Sequence, residues 1–272
     1  MESGSSPGSV VSGWGSRLAT LVAVASVGAI AAAFLLSPDS DRPGSPRSGA
    51  AEVDVTKLVA STTKARLPRA PRDTEPRATT AGDVVHPKRT LPVYAELDGR
   101  PFAKVTPNQM GETWLPVIDR RPGWVQVLLP SRPNGSTGWL KTSSVEQART
   151  PYLIRVHVGS RELELFRDGE LLGHWPVAVG TAETPTPTGR TFLLGSIVDA
   201  EQSYSPVILP LGSHSDTLDS YGGGPGTVAI HGWPDDSVFG NAVSHGCIRV
   251  PDDALEQLAQ VPLGTLVLID DN

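Results

Sequence analysis

The pattern of apolar and polar positions changes character several times along the chain. Leu18 to Leu36 is an uncharged run rich in Ala, Val, Leu and Ile. As a helix it would rise about 1.5 Å per residue and span roughly 28 Å, enough for the hydrocarbon core of a bilayer. Residues 37–85 are dominated by Ser, Pro, Thr, Arg and Asp, with few large apolar side chains. Such a segment buries too little surface to offset its ordering entropy, so it is expected to be a disordered linker. From 86 to 149 short β-type runs recur: Leu91–Tyr94, Phe102–Val105, Thr113–Ile118, Trp124–Leu128 and a start at Gly138-Trp139-Leu140. The pairs Asp98-Gly99, Pro122-Gly123 and Asn134-Gly135 between them are turn signals, and the set fits a small β-barrel.

Beyond Pro151 the alternation continues. Tyr152–Val158 and Glu162–Phe166 lead into the hairpin turn Asp168-Gly169, and Leu171–Val179 and Thr191–Val198 extend the sheet. Residues 201–227 are rich in Ser, Gly, Pro and Asp and read as a long loop, a candidate lid over a cleft. Val228-Ala229-Ile230-His231 is a buried-type strand ending in a turn at Gly232. Asp253 with Glu256 is spaced as a capping box for one short helix running to about Gln260, and Thr265–Ile269 reads as a closing strand. The fold class expected is therefore mainly β with one short helix.

Charge and composition narrow the function classes. A net charge of −6 and a pI near 5.5 leave no nucleic-acid footprint. The chain has one cysteine, Cys247, so no internal disulfide can form and the thiol is a candidate for reactivity. No cysteine stands directly after the apolar run, which argues against a lipoprotein, and Phe34-Leu35-Leu36 occupies the place where a signal-peptide cleavage site would lie. Residues 18–36 are thus expected to be an uncleaved membrane anchor, with a cleaved signal peptide as the alternative. Residues 1–17, ending in Arg17, are assigned to the cytoplasm and the remainder to the outside.

The candidate chemistry lies between His231 and Arg249. A thiol attacks only as thiolate, and a histidine can take its proton. His231 and His245 are both candidates for that base. Gly246, just before Cys247, permits a tight turn whose amides at Gly246 and Cys247 could converge as an oxyanion hole. A lone cysteine is commonly a small buried apolar residue, and one Cys with two His could be zinc ligands, although the spacing supplies no fourth ligand. His86, His157, His174 and His214 carry no metal-ligand spacing, and His157 and His174 sit in strand-like runs.

Ser244-His245-Gly246-Cys247-Ile248-Arg249, with His231-Gly232 upstream, resembles the signature of the YkuD-type L,D-transpeptidases. Thr186-Pro187-Thr188-Gly189-Arg190 is similar to that family's Thr-Pro-x-Gly segment. The resemblance covers roughly residues 150–270, while the Gly-Trp pairs at 123–124 and 138–139 resemble bacterial SH3-like domains. It implies a YkuD-type catalytic β-sandwich over 150–272, preceded by an SH3-like β domain over 86–149. It also implies Cys247 as nucleophile and His231 as general base, with the Gly232 carbonyl orienting the imidazole. His245, Gly246 and Cys247 would form the oxyanion turn. Arg249, Ser244 and Tyr221 are the expected substrate-binding residues. No cofactor and no metal are expected. The expected partners are peptidoglycan stem peptides, as donor and acceptor, and the membrane through residues 18–36; a monomer is expected. An L,D-carboxypeptidase would need the same residues, and a non-catalytic wall-binding protein is the rival of another class. Asp235 and Asp236 read as a solvated turn rather than as an amine site.

Overall fold

The computed structural model describes residues 53–221 and 224–272. The described residues form one compact unit. The apolar run 18–36 lies outside the described residues, and no helix within them is long and apolar enough to cross a membrane.

The first half is built from β1 (Asp83–Pro87), β2 (Leu91–Tyr94), β3 (Pro101–Val105), β4 (Leu115–Arg121), β5 (Trp124–Leu128), β6 (Thr137–Lys141) and β7 (Val145–Arg149). They form one seven-stranded sheet in the order β3-β2-β6-β5-β4-β1-β7, antiparallel at every pairing. The five strands expected from the sequence are all present, with β1 and β7 added at one edge. Trp124 is buried, whereas Trp114 and Trp139 are half-buried.

The second half begins with β8 (Tyr152–His157), β9 (Glu162–Arg167) and β10 (Glu170–Pro176). Asp168 and Gly169 both have positive φ, 52° and 86°, as a tight hairpin between β9 and β10 requires. Then follow β11 (Val179–Gly180), β12 (Gly189–Phe192), β13 (Ile208–His214), and the small hairpin β14 (Ser220–Tyr221) and β15 (Gly224–Pro225). The chain closes with β16 (Thr227–Gly232), β17 (Ala242–Ser244), β18 (Ile248–Val250), α1 (Asp252–Leu258) and β19 (Leu266–Asp270). A five-stranded sheet runs β10-β9-β8-β19-β12, a three-stranded sheet β13-β16-β18, and β11 pairs with β17. Alternation explains the core between them: Ile154 and Val156, Leu163 and Leu165, Ile230, Ile248 and Val250 pack with Ala254, Leu255 and Leu258 of α1.

Several expectations change. The long loop at 201–227 contains a regular strand, β13, whose partner is β16. Its Leu209 and Leu211 enter the core in alternation, a short apolar signal hidden among Pro, Gly and Ser. The strand expected at Thr191–Val198 ends at Phe192. Helix α1 starts at Asp252 with Pro251 as N-cap and no side-chain cap bond. Asp253 does not cap it; its carboxylate accepts from Trp175 Nε1 at 2.8 Å.

The largest correction concerns the expected linker. Residues 53–82 are packed as a strap along both halves. Ser61 N–H donates to Lys104 O at 2.8 Å, Leu67 N–H to Arg132 O at 2.7 Å, and Asp73 N–H to Gly135 O at 2.8 Å. Leu67 and Ala70 are buried in the first core. Asp73 and Arg190 form a bidentate pair at 2.6 and 2.7 Å, with side chains only 3% and 4% exposed. The two halves also share apolar contacts: Phe192, Leu194 and Leu266 lie in the same cluster as Val93, Leu115 and Val127.

Candidate active site

The site forms where β16 and β18 lie parallel, with His231 opposite Arg249 and Ile230 opposite Ile248. Side chains alternate along both strands, so the buried Ile230, Ile248 and Val250 enter the core while Ala229, His231, Cys247 and Arg249 share the other face. That face lines a cavity of about 610 Å³ together with Tyr204, Tyr221, Trp233, Ser244 and His245.

His231 is nearly buried, and its Nδ1 lies 2.7 Å from Gly232 O. A carbonyl can only accept, so in the neutral ring Nδ1 carries the proton and Nε2 is left as the base. Burial pushes the imidazole below its ordinary pKa; the bond to Gly232 opposes this, and the charge of Arg249 adds to it. Tyr204 packs edge-on against the ring at 5.0 Å between centroids. Cys247 retains some exposure as a residue, but burial of its sulfur pushes the thiol up. A main-chain hydrogen bond from Ala229 and the charge of Arg249 pull it the other way.

The turn before Cys247 is built by Ser244. Its Oγ accepts from Gly246 N–H at 3.1 Å and donates to Cys247 O at 2.5 Å. Gly246 has φ of 110°, a conformation that L side chains resist. Two expectations are corrected here. The Gly246 amide is occupied inside the turn, which leaves Cys247 N–H as the donor of the expected oxyanion pair. Ser244 is 1% exposed and closes the turn, with its hydroxyl engaged on both sides rather than offered to substrate.

The Thr-Pro segment supports the same turn from beneath. Thr186 is 2% exposed; its Oγ1 accepts from Gly180 N–H at 2.9 Å and donates to Gly246 O at 3.0 Å. Thr181 N–H and Thr184 Oγ1 both donate to Ser244 O, at 3.1 and 3.2 Å. The segment that looked like a family fingerprint is therefore a brace for residues 244–246.

Arg249 is 9% exposed, and its guanidinium lies 3.6 Å over the Trp233 ring. Among the described residues no carboxylate pairs with it, and its Nε is buried without a partner. Its backbone is fixed by mutual hydrogen bonds with Ala178, both at 2.9 Å. A cation in this state is prepared for an anionic group entering the cavity. His245 is exposed and stacks on Tyr221 at 4.7 Å, so it stands at the rim, not beside the thiol as a buried base. Asp235 caps the short turn Asp236–Val238 through Ser237 N–H and is a solvated turn residue, as expected.

Tyr204 and Trp233 are the contributors that the sequence pattern missed. Trp233 adjoins the motif and follows Gly232 directly, so its place in the site was inferable. Tyr204 is a lone aromatic in a polar loop, and only the return of β13 alongside β16 brings it to His231.

With this geometry in place, the relatives can be compared. Residues 151–269 match the YkuD family, the L,D-transpeptidase catalytic domain. YkuD of Bacillus subtilis (strain 168) is 33% identical over 121 residues, which cover 44% of this chain and 66% of that protein. YqjB of the same organism is 34% identical over 132 residues, 45% of this chain and 72% of that protein. An L,D-transpeptidase structure from Mycobacterium tuberculosis H37Rv aligns with a TM-score of 0.40 and 14% identity, covering 68% of this chain and 99% of that one. The chain belongs to the YkuD family of L,D-transpeptidase catalytic domains. It spans just under two thirds of the length of the YkuD relative.

Proposed function

We propose that the protein is a peptidoglycan L,D-transpeptidase that forms 3→3 cross-links through a thioester on Cys247. The His231 Nε2 takes the thiol proton as sulfur attacks the amide between the L-centre and the D-centre of a tetrapeptide stem. The C–N bond breaks, the same proton passes to the leaving amine, and the terminal D-Ala departs. The side-chain amine of a neighbouring stem then attacks the thioester, gives up a proton to His231 and releases the thiol. Cys247 N–H faces the developing oxyanion, and Arg249 holds a stem carboxylate. Tyr221 and His245 border the entrance.

The observation that carries this reading is the shared face: a buried histidine with Nδ1 held by a carbonyl and a cysteine two positions before Arg249, on adjacent parallel strands, open to one cavity. A cavity of about 610 Å³ lies within the ordinary size range for a small-molecule or peptide site. Residues 18–36 as a membrane anchor, with the catalytic half outside the cytoplasm, complete the proposal.

Mass spectrometry of products from purified disaccharide tetrapeptide tests it. The expected product is a dimer lacking one terminal D-Ala and linked through the third residues. Disaccharide tripeptide alone, with acceptor amine present in excess, would identify an L,D-carboxypeptidase instead.

A further inference from the structure

We propose that Ser205 is a positioning residue for the general base, acting on His231 through the main chain of Gly232. The inference rests on the reading of His231 as the base. Gly232 is held at both ends of its main chain. Its carbonyl accepts from His231 Nδ1 at 2.7 Å, and its N–H donates to Ser205 Oγ at 2.8 Å. The Ser205 hydroxyl proton goes to Val207 O at 2.6 Å, so Oγ presents a lone pair to Gly232 with a fixed direction.

The segment carrying Ser205 is itself tied down. Ser205 is 5% exposed. Gln202 clasps it from both sides, donating to Ser205 O at 2.6 Å and accepting from Ser205 N–H at 3.0 Å. Mutual main-chain bonds at 2.8 Å between Ile197 and Ile208 close the base of the loop. Gly232 also has no spare room: a Cβ there would lie 3.3 Å from both Ser205 Oγ and Leu255 Cδ2. The chain is thus locked between the loop and α1 at the residue whose carbonyl sets the imidazole tautomer.

The consequence for chemistry follows from the direction of each bond. Removing the Ser205 hydroxyl leaves Gly232 N–H buried without a partner and loosens the φ and ψ of Gly232, which link that N–H to the carbonyl of the next peptide unit. The carbonyl then drifts from Nδ1, and a bond that favours the protonated ring weakens. Burial already holds the imidazole low, so loss of the opposing bond lowers it further. The charged or titratable groups around the ring are Cys247 just before β18, Arg249 on β18, Tyr204 and Asp199 on the loop, and Tyr221 and His245 at the rim. Asp252 of α1 lies behind Gly232. Substituting Ser205 changes none of them.

The test is the rate of Cys247 alkylation by iodoacetamide across pH, with the full chain as wild type, Ser205→Ala and Ser205→Thr. The reaction needs no peptidoglycan, so failure of the cross-linking reading and failure of this one are separable. Ser205→Ala is expected to slow alkylation about tenfold at neutral pH, roughly what one net hydrogen bond is worth, and to move the acid limb to lower pH. Ser205→Thr keeps the hydroxyl and is expected to follow the wild type. Should Ser205→Ala fail to fold, Gly232→Ala, which pushes on the same contact, is expected to shift the limb as well. A Ser205→Ala profile that superimposes on the wild type, equal shifts in Ala and Thr, or an unmoved Gly232→Ala profile would overturn the proposal.

Discussion

Burial acts on the two reacting groups in opposite senses. It pushes the Cys247 thiol up and the His231 imidazole down, which favours the neutral pair over a thiolate–imidazolium pair. Attack must then be coupled to proton transfer. The base is competent once deprotonated, and its pKa is lowered, so the acid limb of kcat/KM is expected below the 6.5 of an ordinary histidine. The thiol is raised, so the alkaline limb is expected above 9.0. Steady-state kinetics across pH checks this; an acid limb above 6.5 or an alkaline limb below 9.0 would contradict it. Mutants separate the two histidines. His231→Ala is expected to lose on the order of a thousandfold or more in turnover, and His245→Ala about tenfold or less, since it stands at the rim. The spacing of Ser244, His245, Gly246 and Cys247 made the turn before Cys247 legible in the sequence. It could not show that the Ser244 side chain intercepts the Gly246 amide, because that depends on a rotamer within the turn.

At the scale of elements, the longer alternating runs were legible as strands, and β2, β3, β5 and β8 lie within a residue of their expected bounds, whereas the short alternation of β13 was not. The strap at 53–82 was not legible. Its order comes from scattered main-chain bonds to other elements and from a few apolar contacts, which leave no periodic signature. Composition weighed the entropy of ordering correctly but could not see the partners that offset it. Asp73 is the residue that most sharply tests this packing. Asp73→Ala would leave Arg190 buried and uncompensated, and is expected to destabilise the protein by about 3–5 kcal/mol. Urea unfolding measures it. A change under about 1 kcal/mol would mean that the pair is screened by solvent and that the strap is loosely held.

For the molecule as a whole, the expected boundary near residue 150 is not a break between cores. Phe192, Leu194 and Leu266 of the second half are buried with strands of the first, and Asp73 reaches from the strap to Arg190 on β12. Family membership covers the second half, residues 151–269, which carries the face shared by His231, Cys247 and Arg249. The central claim is that Cys247, deprotonated by His231, takes the acyl group of a stem peptide. The most direct measurement is the intact mass of the protein after rapid mixing with a disaccharide tetrapeptide and acid quench, followed by peptide mapping. The expected wild-type adduct equals the donor less its terminal D-Ala, lies on Cys247, is absent from Cys247→Ala and is greatly reduced in His231→Ala. An adduct on another residue, or one that persists in Cys247→Ala, would contradict it.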